Sequence, residues 1–313
     1  SRASARHTTS TCSTTSWIRD VTFQIPYGII FGFIGPSGSG KTTTIRLLNG
    51  IYEPSHGSVF VLGKQPRHFT PATRNKLGYM PQLFVLYPDL SVWENLNFAA
   101  SLYGMNPFRR RKRLREILKF VELEQDSQKL ARNISGGMQR RLGLAATLVH
   151  DPDLVFLDEP TAGIDPVLRA KFWEHFKDLR SNGRTLFVTT QYVGEAIYCD
   201  YVGVISNGSM LVVDTPEGLR KRAYGGDIID LQSSKPIGFD ALFAVQNMDF
   251  VRGRVHSMGE KALRITVDDA GQRIPELIEW ANQHQIPVEN ISEFMPPFDD
   301  VFVQLVQEED RHA

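Results

Sequence analysis

The sequence predicts an α/β fold built around a parallel sheet, followed by a smaller α+β domain. Three observations predict it. Short apolar runs, Ile29-Ile30-Phe31-Gly32-Phe33-Ile34, Leu154-Val155-Phe156-Leu157 and Thr185-Leu186-Phe187-Val188, have the pattern of strands buried on both faces. The first run leads into a glycine-rich turn and then a helix-like segment. A long helix-patterned stretch lies between the first run and the second.

The elements follow in order. Ten of the first sixteen residues are Ser or Thr and none is acidic, so 1–16 read as a disordered leader. Patterning begins at Trp17. Val21, Phe23 and Ile25 alternate with polar residues, as in a half-buried strand ending at the turn Pro26-Tyr27-Gly28. After the first apolar run and its turn, Thr44-Ile45-Arg46-Leu47-Leu48 reads as helix. Ser58-Val59-Phe60-Val61-Leu62 and Lys76-Leu77-Gly78-Tyr79-Met80 read as strands.

Residues 90–149 are helix-rich, with Leu114, Ile117, Leu118 and Val121 recurring at i, i+3, i+4, i+7. The run from Val202 to Val213, apolar on both sides of Asn207-Gly208, is a hairpin signal. Composition shifts after Arg220-Lys221-Arg222. Beyond it come strand-like pieces such as Leu263-Arg264-Ile265-Thr266-Val267. A helix bearing Ile274, Leu277, Ile278 and Ala281 follows, and a last helix lies around Val301, Phe302, Leu305 and Val306. The expected domains are 17–222 and 227–308.

Composition narrows the function. Lys+Arg and Asp+Glu each number 35, so no global basic field argues for nucleic acid. Two cysteines, Cys12 and Cys199, build no disulfide framework and fit a reducing compartment. No apolar run approaches the roughly 18 residues of a membrane-spanning helix.

The turn after the first strand is Gly35-Pro36-Ser37-Gly38-Ser39-Gly40-Lys41-Thr42-Thr43. Strand, GxxxxGK[ST] and helix together form a phosphate-binding loop. Its glycines let backbone N–H groups point at phosphate oxygens, and the following helix adds the positive end of its dipole. Lys41 places an ammonium between the β- and γ-phosphates, and the Thr42 hydroxyl ligates Mg²⁺. This loop alone leaves kinase, GTPase, motor and transporter ATPase open.

Asp158-Glu159, at the end of the second apolar run, supplies two carboxylates: Asp158 for Mg²⁺, Glu159 to polarise the attacking water. Upstream, Ser135 is a natural N-cap, and Gly136-Gly137 expose the N–H groups of the helix that follows. One triphosphate does not need two such helix starts. The economical reading is that the second reaches the nucleotide of a partner subunit.

Taken in order, residues 35–43, the isolated Gln82, residues 134–139, Asp158-Glu159 and Gly163-Ile164-Asp165 resemble the motifs of ABC-transporter ATPases. The resemblance covers about 17–222. It implies a RecA-like P-loop NTPase core with an inserted helical subdomain at about 83–149. It also implies a head-to-tail homodimer enclosing two ATPs. By the same resemblance Gln82 senses Mg²⁺ and couples to a permease, Ser135, Gly136 and Gly137 cap the partner's ATP, and Asp165 lies between subunits. The ending Pro296-Pro297-Phe298-Asp299-Asp300-Val301-Phe302 resembles that of drug-resistance and polysaccharide or lipid exporters, whose permease is a separate polypeptide. That implies a cytoplasmic subunit on the inner face of the cell membrane, with no direct nucleic-acid binding.

Two departures stand out. Gln191 occupies the place of the family's histidine that senses the γ-phosphate. Its amide can both donate and accept, so a working but slower site is expected. No aromatic residue lies upstream of Trp17 to stack on adenine; Trp17 has two readings, as the substitute or as a tryptophan packing at a strand start.

The competing class is a soluble ABC ATPase acting on nucleic acid or ribosomes, which usually carries two cassettes or a long coiled coil. A kinase or GTPase does not account for the Ser-Gly-Gly turn. The run Arg109-Arg110-Arg111-Lys112-Arg113-Leu114-Arg115 reads first as a solvated helix start. A nucleic-acid patch and a contact for phospholipid headgroups are its other readings.

Overall fold

Two stretches of chain pack separately in the computed structural model, Ser1–Val213 and Asp214–Ala313. The structure describes residues 3–6, 18–83 and 86–312, with side chains for 18–83 and 86–307.

The first unit opens with β1 (Ala3–Arg6), β2 (Phe23–Ile25), β3 (Ile30–Ile34) and α1 (Lys41–Leu48). Next come β4 (Ser58–Phe60), α2 (Pro71–Arg74) and β5 (Leu77–Met80). Three helices follow: α3 (Val92–Leu102), α4 (Pro107–Phe120) and α5 (Gly136–Leu148). The unit finishes with β6 (Leu154–Asp158), α6 (Pro166–Ser181), β7 (Thr185–Thr190), β8 (Tyr201–Ser206) and β9 (Ser209–Asp214).

Six strands form the main sheet in the order β5-β6-β7-β3-β8-β9, and every pairing from β5 to β8 is parallel. All residues of β3, β6 and β7 are buried, as their apolar runs demand when both faces are covered, and Thr185, Thr189, Thr190 and Asp158 are buried with them. Asn207 and Gly208 carry φ of 47° and 81°, the left-handed pair that turns the β8–β9 hairpin.

An aromatic cluster holds the sheet to its cover. The Phe187 ring lies 5.4–6.0 Å from the rings of Phe23, Phe31, Phe33 and Phe156. Phe31, Phe33 and Phe187 are fully buried. Strand β3 thus ends rigidly where the glycine-rich turn begins.

The leader departs from expectation. Ala3–Arg6 is a strand lying between β2 and β4, antiparallel to both, rather than disordered chain. The free edges of β2 and β4 supply unpaired N–H and C=O groups, and backbone pairing with them needs no apolar pattern in the inserted strand. Residues 7–17, Trp17 among them, lie outside the described residues.

In the helical segment Leu114, Ile117, Leu118 and Val121 are all buried, on the face that the periodicity marks. Ser91 caps α3 with a capping box closed by Glu94. Among the described residues no helix is long and apolar enough to cross a membrane.

The second unit comprises α7 (Pro216–Tyr224), β10 (Asp227–Ser233), α8 (Phe239–Gln246) and β11 (His256–Ser257). It continues with β12 (Ala262–Val267), α9 (Ala270–Gln283), β13 (Val288–Phe294) and α10 (Phe298–His312). Its antiparallel sheet runs β11-β12-β10-β13. The unit starts at Asp214, before the expected boundary, because α7 buries Leu219 and Ala223 within it. On α9, Leu277, Ala281, Ala270 and Trp280 are buried, whereas Ile278 is 37% exposed.

Candidate functional site

The site forms where β3 and β6 end. Helix α1 starts at Lys41 from an N-cap glycine, Gly40, whose φ of 108° excludes side-chain-bearing residues without strain. That cap makes no side-chain hydrogen bond, so the first turn of α1 keeps its N–H groups clear of a capping oxygen. Lys41 is 4% exposed and folds back over its own loop. Its Nζ donates to the Gly35 carbonyl (2.9 Å) and the Pro36 carbonyl (3.0 Å), and lies 3.4 Å from Glu159 Oε1. Burial pushes the Lys41 ammonium below its usual value, against the Glu159 and Asp158 carboxylates, which pull it back up.

Asp158 is the last residue of β6 and is buried. Its Oδ1 accepts from Thr42 Oγ1 (3.2 Å) and Thr189 Oγ1 (2.7 Å), while its Oδ2 is buried with no hydrogen-bond partner. A carboxylate oxygen left unpaired next to a threonine hydroxyl is a donor set for a hard cation. Among the described residues no group of three or more His, Cys, Asp or Glu side chains converges as a metal site. One carboxylate and one hydroxyl therefore suit a cation that takes its remaining oxygens from a bound triphosphate and water.

Glu159 follows in a left-handed conformation, φ 49°. Its N–H donates to Thr189 Oγ1 (3.0 Å) and the Thr189 carbonyl (3.1 Å), and its Oε2 accepts from Gln82 Nε2 (3.1 Å). Thr189 thus grips both carboxylate residues. Sequence reasoning passed it over, although its place beside Asp158 across the sheet follows from parallel register.

Arg140 was also missed. From α5 its Nε donates to the Pro160 carbonyl (2.8 Å), one terminal nitrogen to the Gln82 carbonyl (3.1 Å), and the other to the Glu159 carbonyl. One guanidinium therefore joins the helix after Ser-Gly-Gly to both Gln82 and the carboxylate turn. Burial lowers its pKa, opposed by Glu159 and Asp158.

Residues 35–43, Gln82, Asp158 and Glu159 are thus brought together. The Ser-Gly-Gly turn and Asp165 form a second locus. Ser135 Oγ caps α5 by accepting from Met138 N (3.3 Å), and Asp165 Oδ1 caps α6 by accepting from Val167 N and Leu168 N (both 3.0 Å). A Cβ on Gly137 would come within 2.6 Å of Leu168 Cδ2, so a glycine there lets the two helix starts approach. Gly136 is different. It is exposed, its φ is not left-handed, and a Cβ there would meet nothing within 4 Å. Nothing inside the described chain calls for a glycine at that position. Gln191 stands exposed just beyond β7. Buried Cys199, whose thiol burial pushes up, is packing.

Comparison with known proteins agrees with this geometry. The ABC transporter family matches residues 18–162. The linearmycin resistance ATP-binding protein LnrL of Bacillus subtilis is 32% identical over 295 residues, which covers 92% of this chain and 93% of that protein. The Nod factor export ATP-binding protein I of Ralstonia nicotianae is 32% identical over 292 residues, 93% of this chain and 89% of that one. Among solved structures, cbiO1 of Clostridium perfringens, described as part of the ABC transporter complex cbiONQ, superposes with a TM-score of 0.62. It is 25% identical, over 70% of this chain and 89% of that one. Both carboxylates, the phosphate loop and the near-complete match to ATP-binding subunits lead to one assignment: the chain belongs to the ABC transporter family, as an ATP-binding and ATP-hydrolysing cassette.

Proposed function

We propose that the cassette powers an exporter, closing head to tail on a second copy around two ATPs and driving a separate membrane permease from the cytoplasmic face. The observation that carries this reading is similarity spanning both units to proteins named for linearmycin resistance and Nod factor export. The competing reading, a soluble cassette on nucleic acid or ribosomes, finds no support among these relatives.

In this reading the backbone N–H groups of the loop between Gly35 and Lys41 cradle the phosphates, and Lys41 exchanges the Gly35 and Pro36 carbonyls for phosphate oxygens. Thr42 and Asp158 would hold Mg²⁺, with Gln82 as a further ligand. When bound, the ion draws charge from the phosphate oxygens. Glu159 orients water and takes its proton, and Gln82 and Arg140 fix where that carboxylate sits. Gln191 contacts the γ-phosphate through a neutral amide. Ser135 and Gly136 reach the partner's ATP; the absence of any internal reason for glycine at 136 fits a residue kept small for an approaching ligand.

The shared site is tested by mixing. Lys41→Ala and Ser135→Arg proteins each lose activity alone, and their mixture recovers part of it, because one composite site then has both groups. ATPase rates of mixtures that never exceed the sum of the parents remove the shared-site model.

The Arg140 fork gives a second test. Arg140→Met is expected to lower turnover about 10-fold or more, the scale of losing charge-assisted hydrogen bonds. Arg140→Lys, with the charge but not the planar fork, recovers only part. Turnover unchanged in the Met variant, in a steady-state ATPase assay, shows that the guanidinium positions nothing.

A further inference from the structure

We infer that the outer face of α4 is a contact surface for an anionic phospholipid bilayer. The basic run at the start of this helix divides in two. Arg110 donates to Asn97 Oδ1 (3.3 Å), Ser101 Oγ (2.7 Å) and the Met105 carbonyl (2.7 Å). Arg113 donates to the Leu148 and Val149 carbonyls (3.0 and 3.2 Å) and to Asp151 (3.2 Å). These two are structural and account for the packing of α4 against its neighbours.

Among the described residues the other cations of the helix are tied to no neighbouring element, and Lys112 pairs only with Glu116 of its own helix. Phe108, Lys112, Arg115 and Lys119 fall at i, i+4, i+7, i+11, one outward stripe opposite buried Leu114, Ile117 and Leu118. Arg109 and Arg111 flank it and are exposed. The one acidic residue of the helix, Glu116, pairs within the helix with Lys112 and Arg113, at 3.9 Å from each, so one carboxylate faces a stripe and flanks that carry five cations. The first turn has no acidic residue, so the cations at its start oppose the helix dipole. Glu116 relieves this cost only at Lys112 and Arg113.

The apolar part of the stripe selects the occupant. Phe108 is 92% exposed at its leading end, and Leu102 is 71% exposed at the end of α3. Arg110 ties the start of α4 to that same end of α3. Cations with an unpartnered phenylalanine and leucine at one end are the composition of a helix lying in a membrane interface: apolar tips enter the headgroup layer and the cations meet phosphates. A nucleic-acid duplex offers its phosphates without using the apolar tips, and a single strand, which could stack a base on Phe108, leaves Leu102 without a use. The setting rests on the exporter reading, which puts the cassette beside a bilayer.

Sedimentation of the full chain with phosphatidylcholine vesicles, with and without phosphatidylglycerol, tests this, with a short DNA duplex and a single-stranded RNA as competing probes. Binding is expected to the anionic vesicles and to weaken with salt. The triple variant Lys112→Gln, Arg115→Gln, Lys119→Gln should lower the partition coefficient roughly 100-fold, about fivefold per cation. Phe108→Ser should lower it roughly 10-fold. Melting temperature and ATP turnover in solution stay at parental values in both, since every changed position is exposed and outside the phosphate site. Equal binding to neutral and anionic vesicles, or wild-type binding by the triple variant, overturns the proposal. So does capture of DNA or RNA through these residues while vesicles are ignored. No permease is present in this assay, so failure of a permease to co-purify with the cassette would remove the exporter reading and leave the vesicle result standing.

Discussion

Glu159→Gln is expected to bind ATP at close to parental affinity and to hydrolyse it about 10²–10⁴ times more slowly, the scale of losing a positioned general base. The argument is geometric. The amide keeps the size of the side chain and one oxygen for Gln82, and the Glu159 N–H keeps both Thr189 acceptors. What is lost is the charge that draws a proton from water and, within the free protein, the ion pair with Lys41. Losing that pair frees Lys41 for phosphate and so does not weaken binding. Nucleotide titration alongside single-turnover hydrolysis separates the two effects. A variant that still turns over at more than a tenth of the parental rate would falsify the role given to Glu159.

The largest stability loss is expected at Phe187. It is fully buried, and four other phenylalanine rings lie within 6.0 Å of its own. Phe187→Ala deletes the ring that these side chains share, and neighbours fixed on β2, β3 and β6 close the space only in part. A loss of about 3–5 kcal/mol follows for the first unit. Strand β7 also carries Thr189 to Asp158 and Glu159, so the residual ATPase should inactivate at correspondingly lower temperature. Urea unfolding followed by circular dichroism measures the first effect. A change below about 1 kcal/mol would mean that the cluster repacks around the gap.

The sheet was legible because strands buried on both faces are built around short apolar runs, and β3, β6 and β7 each carry one, at Ile30–Ile34, Leu154–Leu157 and Leu186–Val188. The phosphate loop and the carboxylate pair were legible because their residue types, spacing and strand–turn–helix setting have few other uses. Thr189 and Arg140 were not. A threonine inside an apolar strand and an arginine on a helix are common, and their roles exist only once β7 lies against β6 and α5 against the carboxylate turn. Strand β1 was hidden for a different reason: Ala-Ser-Ala-Arg is short, carries no β-branched or aromatic residue, and sits in a Ser/Thr-rich stretch.

The left-handed backbone at Glu159 has a consequence for which sequences this position can hold. A side chain larger than glycine in that region raises the free energy of the folded chain by roughly 1–3 kcal/mol. Glycine would relieve it and abolish the carboxylate. Aspartate tolerates the conformation better than most residues but is one methylene short of Gln82 and Lys41. Valine and isoleucine fail on both counts. Selection for folding therefore favours glycine at 159 and selection for turnover, in the proposed mechanism, favours glutamate, so drift toward the more comfortable backbone would silence the cassette while leaving it better folded.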